Sequence, residues 1–218
     1  MSHRDELASA EKPVWDKAYV LFEKMLDDFN SKNLLRKGTI SVDRHRLARI
    51  WEDSMKFGSA FNDMVGKFNN EKTFLDFSNN AGLAPESATY VFLSQLVGTA
   101  LINLESVFKT SLLFFLEEEK GIKKTMTLGQ LLRQIKIISP EIGANLNEIV
   151  DTKIRNALAH GTFWFKKGKV CLATNSYLED FEEIPLHEFW IEARKMNIIA
   201  IAFIEVLNKR IDAGYFRI

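Results

Sequence analysis

The chain has 218 residues, of which 46% are hydrophobic and 27% are charged, and its formal net charge is zero. This composition excludes disordered and collagen-like chains, and the length allows one large domain that buries roughly 70% of its unfolded surface. A single cysteine, Cys171, excludes an intramolecular disulfide, and without a Cys/His cluster we expect neither a structural metal nor a cofactor.

The N-terminal residues carry no secretory signal, and no apolar stretch reaches the roughly 18 uninterrupted residues of a membrane span. We therefore expect a cytoplasmic protein without a membrane segment. A neutral net charge gives no global electrostatic case for nucleic acid as a partner, so any such case depends on how the charges are distributed.

Residues 1–80 are predicted to form an N-terminal helical extension. Apolar residues recur with helical spacing over about 13–30 and again over about 42–69, which predicts two amphipathic helices. The segment NNEKTFLDFSNNAGLAPES that follows is rich in Asn, Ser and Gly, which is typical of a connection with at most one helical turn. We place a domain boundary near residue 80.

Residues 81–218 are predicted to begin with a long central helix. Ser87 can cap this helix, and a largely apolar run continues from it to about residue 119. Gly121 then supplies the stop. The central helix should form the middle of the second domain.

Capping residues predict two further helices. Thr127 and Gln130 have the spacing of a capping box for a short helix that ends near residue 138. Ser139, followed by proline, is expected to cap the next helix, which we extend without interruption to His160, where Gly161 can adopt the left-handed stop.

The segment TFWFKKGKVCLAT, at about 162–174, has two β-prone runs around a glycine-containing turn and predicts a hairpin. An acidic connection, YLEDFEEIP, precedes a last helix over about 186–210. The sum is an all-α fold, in which four helices from residue 87 onward form a bundle that carries one small β-hairpin.

The stretch IRNALAHG at the end of the third bundle helix holds the chemically reactive residues. Arg155, Asn156 and His160 fall on one arc of the predicted helix, away from its apolar arc, and Glu148 and Thr152 precede them on the same face. A histidine in a last turn, followed by glycine, also suits an ordinary solvated helix end. Geometry alone leaves both interpretations open.

The local charge around these residues favours a polyanion. Residues 120–170 contain ten Lys or Arg against three acids, a net charge of +7, whereas residues 171–192 contain six acids and no Lys or Arg. The basic residues nearest the motif are Lys153, Lys166, Lys167 and Lys169, which are candidates for RNA phosphate contacts. Charge runs of this kind are also common on simply solvated surfaces.

The pattern RNALAH, an Arg followed by a polar residue, three further residues and His, resembles the motif of the HEPN superfamily (higher eukaryotes and prokaryotes nucleotide-binding domain). The resemblance covers residues 87–210, and residues 1–80 match nothing in it. Members with this motif are commonly metal-independent RNA endonucleases, which occur in toxin-antitoxin, abortive-infection and RNA-targeting CRISPR systems. The resemblance thus implies a four-helix bundle that cleaves RNA, with an antitoxin or a defence-system protein as a further partner.

The resemblance also implies roles for the motif residues. His160 would act as general acid or base. Arg155 would hold the scissile phosphate in a fork of donors, and Asn156 would orient one of these donors. No metal is required, because RNA supplies its own nucleophile in the 2′-hydroxyl. Family members typically face two such helices across a dimer axis, so a homodimer with a composite active site is expected.

Several residues remain open to two interpretations. Glu105 interrupts the apolar central helix and either assists the motif, as an acidic residue does in some family members, or makes a structural hydrogen bond. Phe163 and Trp164 either stack on a base or, as is commoner, pack over a helix end. The whole chain could alternatively be a non-catalytic HEPN module that binds RNA or nucleotide, or that scaffolds a partner protein.

Overall fold

The computed structural model describes residues 3–35, 48–53, 56, 60, 71–116, 121–150, 152–166, 168–173 and 180–213. After a short 3-10 helix, His3–Glu6, its α-helices are α1 (Lys12–Ser31), α2 (Glu71–Asn80), α3 (Pro85–Leu101), α4 (Thr110–Phe115), α5 (Leu128–Ile138), α6 (Pro140–Ile149), α7 (Thr152–His160) and α8 (Leu186–Asp212). A π-helix, Ile102–Lys109, joins α3 to α4. The strands β1 (Phe163–Lys166), β2 (Lys169–Ala173) and β3 (Phe181–Pro185) form an antiparallel sheet in that order. The protein is mostly helical, with one small sheet.

The chain divides into two compact units. The first unit comprises 1–50, 103–152 and 195–218, and the second comprises 51–102 and 153–194. These units do not follow the expected division near residue 80, because the apolar face of α1 is buried in the same unit as α5, α6 and most of α8. Packing between segments that are distant in sequence determines the units, and local sequence patterns do not predict such packing.

The first unit is built around the helix predicted over 13–30, which is confirmed as α1. Phe22 of α1 contacts Phe108 and Phe203, with ring centroids 5.6 and 5.1 Å away, and the latter two rings lie 4.8 Å apart. All three rings are fully buried. Aromatic contacts at these distances add to the free energy of burial, so this cluster is a centre of the core.

The close approach of α5 and α6 in the same unit depends on one glycine. A Cβ at Gly143 of α6 would clash with the backbone of Lys136 in α5. The absent side chain therefore lets the two helices pack directly together.

The second unit combines α2, α3, α7 and the sheet with the first turns of α8. Phe165 of β1 stacks on Tyr90 of α3 at 4.8 Å, and Phe92 of α3 stacks on Trp190 of α8 at 4.9 Å. The inner face of the sheet thus packs on α3. This unit contains the Arg155 to His160 motif.

Several local predictions are confirmed. Thr127 and Gln130 form the capping box at the start of α5, with both reciprocal hydrogen bonds present. Gly161 has a φ of +66° and ends α7, where the backbone N–H of Thr162 donates to the carbonyl of Ala157. The last helix extends over Leu186–Asp212, close to the prediction.

The cap at Ser139 differs from the prediction in its side chain. Ser139 is the N-cap residue of α6, yet its hydroxyl donates to the carboxylate of Asp28 in α1 rather than accepting from its own helix. Lys32 donates to the Ser139 hydroxyl at 2.6 Å and to the Ile138 carbonyl at 3.3 Å. The residue therefore joins α1 to the α5–α6 turn.

The uninterrupted helix predicted from residue 140 to His160 was wrong. The helix α6 ends at Ile149, Val150 is extended with φ and ψ of −99° and 100°, and α7 begins at Thr152. Val150 is fully buried, so the extended residue contributes its side chain to the core. Tertiary packing overrides helix propensity here.

Three other expectations need correction. The segment expected to be a connection contains the ten-residue helix α2, Glu71–Asn80. The central helix starts at Pro85, with Ala84 as its N-cap, instead of at Ser87. The acidic connection contains β3, so the predicted hairpin, whose strands are confirmed, is part of a three-stranded sheet.

The helix predicted over about 42–69 lies mostly outside the described residues. Within it, residues 48–53, 56 and 60 are described and are helical.

One continuous helical run, Pro85–Phe115, is long and apolar enough to cross a membrane by length and composition alone, within the part of the chain that the structure describes. The core helix of a soluble protein passes the same test. In this run 44% of the most apolar window is buried inside the protein. The finding is weak evidence for a span and is consistent with a soluble protein.

Candidate functional site

The helix α7 positions the three motif residues. Ile154 and Leu158 lie on its buried side, where they are 2% and 5% exposed. Asn156 and His160 are exposed. Because α6 ends at Ile149 and Val150 is extended, α7 is a separate helix. The motif thus occupies one short helix.

Arg155 does not lie on the solvent face that the sequence predicted. The residue is only 9% exposed, at the edge of the buried arc next to Leu158. Burial lowers the pKa of its guanidinium, but arginine remains protonated at neutral pH because its ordinary pKa is far above that range. A desolvated cation of this kind is more strongly attracted to an anion than a solvated one.

Asn156 orients Arg155. The Nη1 of Arg155 donates to the Oδ1 of Asn156 at 2.7 Å, so two successive residues are joined through their side chains. Asn156 is exposed, so this bond joins the buried arginine to a solvent-facing amide.

His160 is exposed in the last turn of α7, directly before the glycine stop. Its imidazole is therefore accessible to a bound molecule in the part of the chain that the structure describes. An exposed histidine by itself has little catalytic power, since stabilisation of charge is strongest where water is excluded. The enclosure would have to come from a ligand or a second chain.

The basic residues expected to bind RNA are partly neutralised by β3. Lys166 and Lys169 both pair with Glu183, at 3.5 and 2.6 Å, and Lys153 pairs with Glu182 at 3.5 Å. These pairs are largely exposed, and exposed pairs contribute only about 0–1 kcal/mol, so a phosphate can displace the carboxylates. The lysine Lys167 lies outside the described residues.

The sequence reading missed Glu182 and Glu183 as members of this charged surface. Their acidic run was assigned to a connection, although FEEIP also has the length of a short strand. Opposite charges on neighbouring strands are a recognised sheet contact, so the acidic run beside a basic hairpin was the available signal.

The auxiliary residues belong to the first unit, where Glu105 and Glu148 form ion pairs. Glu105, in the π-helix, pairs with Lys109 at 2.6 Å, and burial lowers the pKa of that lysine. Glu148 is exposed near the end of α6 and pairs with Lys17 of α1. Thr152 begins α7. Because the helix breaks at Val150, Glu148 does not continue the face of the motif helix, which corrects the prediction.

The arrangement offers acid–base and electrostatic chemistry. In the second unit it combines a buried, hydrogen-bonded guanidinium with an exposed imidazole on one helix, which is followed along the chain by a lysine-bearing sheet. Among the described residues, no group of three or more His, Cys, Asp or Glu could hold a metal ion. Cys171 is fully buried, and burial raises the pKa of its thiol.

Comparison of the chain with models of protein families, with curated proteins and with solved structures found no match.

Proposed function

We propose that this protein is a metal-independent RNA endonuclease of the HEPN type that acts as a homodimer. The observation that carries the proposal is the bond between Arg155 and Asn156, which presents an oriented guanidinium on the helix that ends in the exposed His160. The resemblance of RNALAH to the family motif adds support. A role as a toxin or antiviral effector, with an antitoxin or defence protein as partner, rests on that resemblance alone.

The chemistry assigned to these residues is internal transesterification. The 2′-hydroxyl attacks the adjacent phosphorus, the bond to the 5′-oxygen of the next nucleotide breaks, and a cyclic phosphate and a 5′-hydroxyl end result. His160 moves the proton of the nucleophile or of the leaving oxygen, and Arg155 stabilises the charge on the phosphoryl oxygens. The proton lost by the 2′-oxygen is balanced by the one gained by the leaving oxygen.

A second copy would complete the site. His160 and Asn156 are exposed in one chain, so two α7 helices meeting across a two-fold axis would enclose the phosphate between two imidazoles. The enclosure would exclude water and strengthen the effect of both arginines.

The experiment is RNA cleavage in EDTA. Wild-type protein should degrade a mixed RNA pool, and His160→Ala should abolish the cleavage. His187→Ala is the matched control, because His187 is another exposed histidine of the second unit outside the motif. Cleavage that persists in His160→Ala, or that is lost equally in His187→Ala, would refute the assignment.

The burial of Arg155 also favours a second candidate function, a non-catalytic HEPN module that binds RNA or nucleotide. A guanidinium that is 9% exposed can serve the fold instead of a substrate. In that case the wild type retains RNA in a filter-binding assay but leaves it intact, and His160→Ala does not change its affinity.

A further inference from the structure

One face of the sheet carries two aromatic rings, a half-buried tryptophan and an exposed phenylalanine. In the registers of β1, β2 and β3, Trp164 lies opposite Cys171, which lies opposite Glu183, and Phe181 lies opposite Ala173. Directly paired residues point to the same side, so Trp164 and Phe181 share one face. Their ring centroids are 5.1 Å apart, with planes at 64°.

The opposite face of the sheet makes the packing contacts. It carries Phe163, Phe165, Val170 and Leu172, of which Val170 and Leu172 are buried and Phe165 stacks on Tyr90. Cys171, on the Trp164 face, is fully buried as well, so both faces of the sheet contribute to the core at the centre of β2. Phe181 on the Trp164 face is 42% exposed, so part of its ring is open to a ligand.

Lysines flank the rings of Trp164 and Phe181. Lys166 and Lys169 are directly opposite each other in the β1–β2 register and lie on the Trp164 face, with the Lys166 ammonium 6.0 Å from the centre of the Phe181 ring. Glu183 is the sole carboxylate among the described strand residues of this face, and it pairs with both lysines. Two cations for one anion leave a net positive charge beside the rings.

We infer that this face, formed by Trp164, Lys166, Lys169 and Phe181, is a stacking platform for single-stranded RNA. An unpaired base stacks on an aromatic ring whatever its sequence, while adjacent lysines contact the backbone. A protein partner fits the face less well, because lysines are depleted in the centres of protein interfaces. A duplex fits less well too, because its bases are already stacked on one another.

The platform lies close to the motif along the chain. Trp164 is four residues after His160, so their Cα atoms are at most about 14 Å apart, and both belong to the second unit. A strand with one base on Trp164 is therefore long enough, within a few nucleotides, to reach the imidazole. The platform would make single-stranded RNA the substrate class of the proposed nuclease, and its biological meaning rests on that proposed function. Binding to the platform does not itself require cleavage.

The test separates binding from cleavage by using a 2′-O-methyl RNA, whose blocked 2′-oxygen cannot attack. Affinity for a fluorescently labelled single strand of this RNA is measured by anisotropy with the full-length protein, beside a duplex of the same sequence. Trp164→Ala and Phe181→Ala should each weaken single-strand binding by about 5- to 150-fold, the loss expected for one stacked base. Trp164→Phe should retain most of the affinity.

Ile191→Ala is the matched control, because Ile191 is an exposed apolar residue of the second unit outside the sheet. It should bind as the wild type does. Equal affinity of the wild type for strand and duplex would overturn the platform, as would unchanged affinity in folded Trp164→Ala and Phe181→Ala. The platform would also be overturned if these variants kept their RNA affinity but had a different mass in light scattering. That result would assign the face to contact with a second copy of the chain.

The two proposals can fail separately. Platform-dependent binding of the methylated strand without cleavage of unmodified RNA would support the platform and reject the nuclease. Cleavage of unmodified RNA at the wild-type rate and affinity by folded Trp164→Ala would reject the platform alone.

Discussion

The Nη1 of Arg155 donates to the Oδ1 of Asn156 at 2.7 Å, so the most buried member of the motif is oriented by its exposed neighbour. This relationship divides the motif into a guanidinium held by the protein and an imidazole that faces outward. Because Arg155 is buried and hydrogen-bonded, its removal should disturb the fold as well as the site.

We predict that Arg155→Ala abolishes RNA cleavage and also lowers the free energy of unfolding by about 1–3 kcal/mol, as loss of a buried, hydrogen-bonded group does. Asn156→Ala should reduce the catalytic rate less, because Arg155 remains present but less well oriented. Urea denaturation and single-turnover kinetics measure the two effects. A stable, fully active Arg155→Ala protein would remove Arg155 from both roles.

Leu158→Ala should lower the free energy of unfolding by about 2–5 kcal/mol, the usual cost of truncating a buried leucine. Leu158 is 5% exposed on the inner side of α7. Leu75→Ala is the control, since Leu75 is 38% exposed in α2, and its effect should stay within about 0.5 kcal/mol. Equal thermal midpoints for both variants would show that α7 is rotated relative to this structure.

RNA binding should weaken steeply with salt, because single strands lose about 0.7 logarithmic units of affinity per phosphate contact for each tenfold rise in salt. Replacing Lys166, Lys167 and Lys169 with Glu should reduce affinity for all RNA sequences alike, since phosphate contacts carry no sequence information. Anisotropy titrations at several salt concentrations measure the slope. A salt-independent affinity would contradict a phosphate-binding surface.

Glu183→Gln should tighten RNA binding by up to about fivefold, because it releases two lysines from an exposed ion pair worth up to about 1 kcal/mol. The Lys169 hydrogen bond lowers the pKa of Glu183, so mild acidification to about pH 5 should not mimic the substitution. Glu188→Gln, an exposed glutamate outside the sheet, should leave affinity unchanged. Weaker binding by Glu183→Gln would mean that the carboxylate itself contacts the ligand.

Cleavage per chain should fall as the protein is diluted, because one chain leaves His160 exposed and an enclosed site requires a second copy. Activity over a dilution series should decline in step with the mass measured by analytical ultracentrifugation. A monomer with full activity would show that the composite site is wrong, while leaving the motif assignment intact.

The sequence by itself determined the features whose signals are local. The capping box of Thr127 and Gln130, the left-handed stop at Gly161 and the two strands around the Lys-Lys-Gly-Lys turn all form as predicted, since each depends on hydrogen bonds or dihedral preferences within a few residues. The position of His160 in the last turn before that stop was likewise visible in the sequence.

Tertiary structure decided what depends on distant partners. Val150 is extended and its side chain is fully buried, which interrupts the predicted helix, and Arg155 is buried where the sequence predicted a solvent face. The acidic run forms β3 because β2 offers it a free edge, and its glutamates then neutralise the basic lysines. Packing and strand pairing link residues far apart along the chain, and periodicity in a single sequence does not record them.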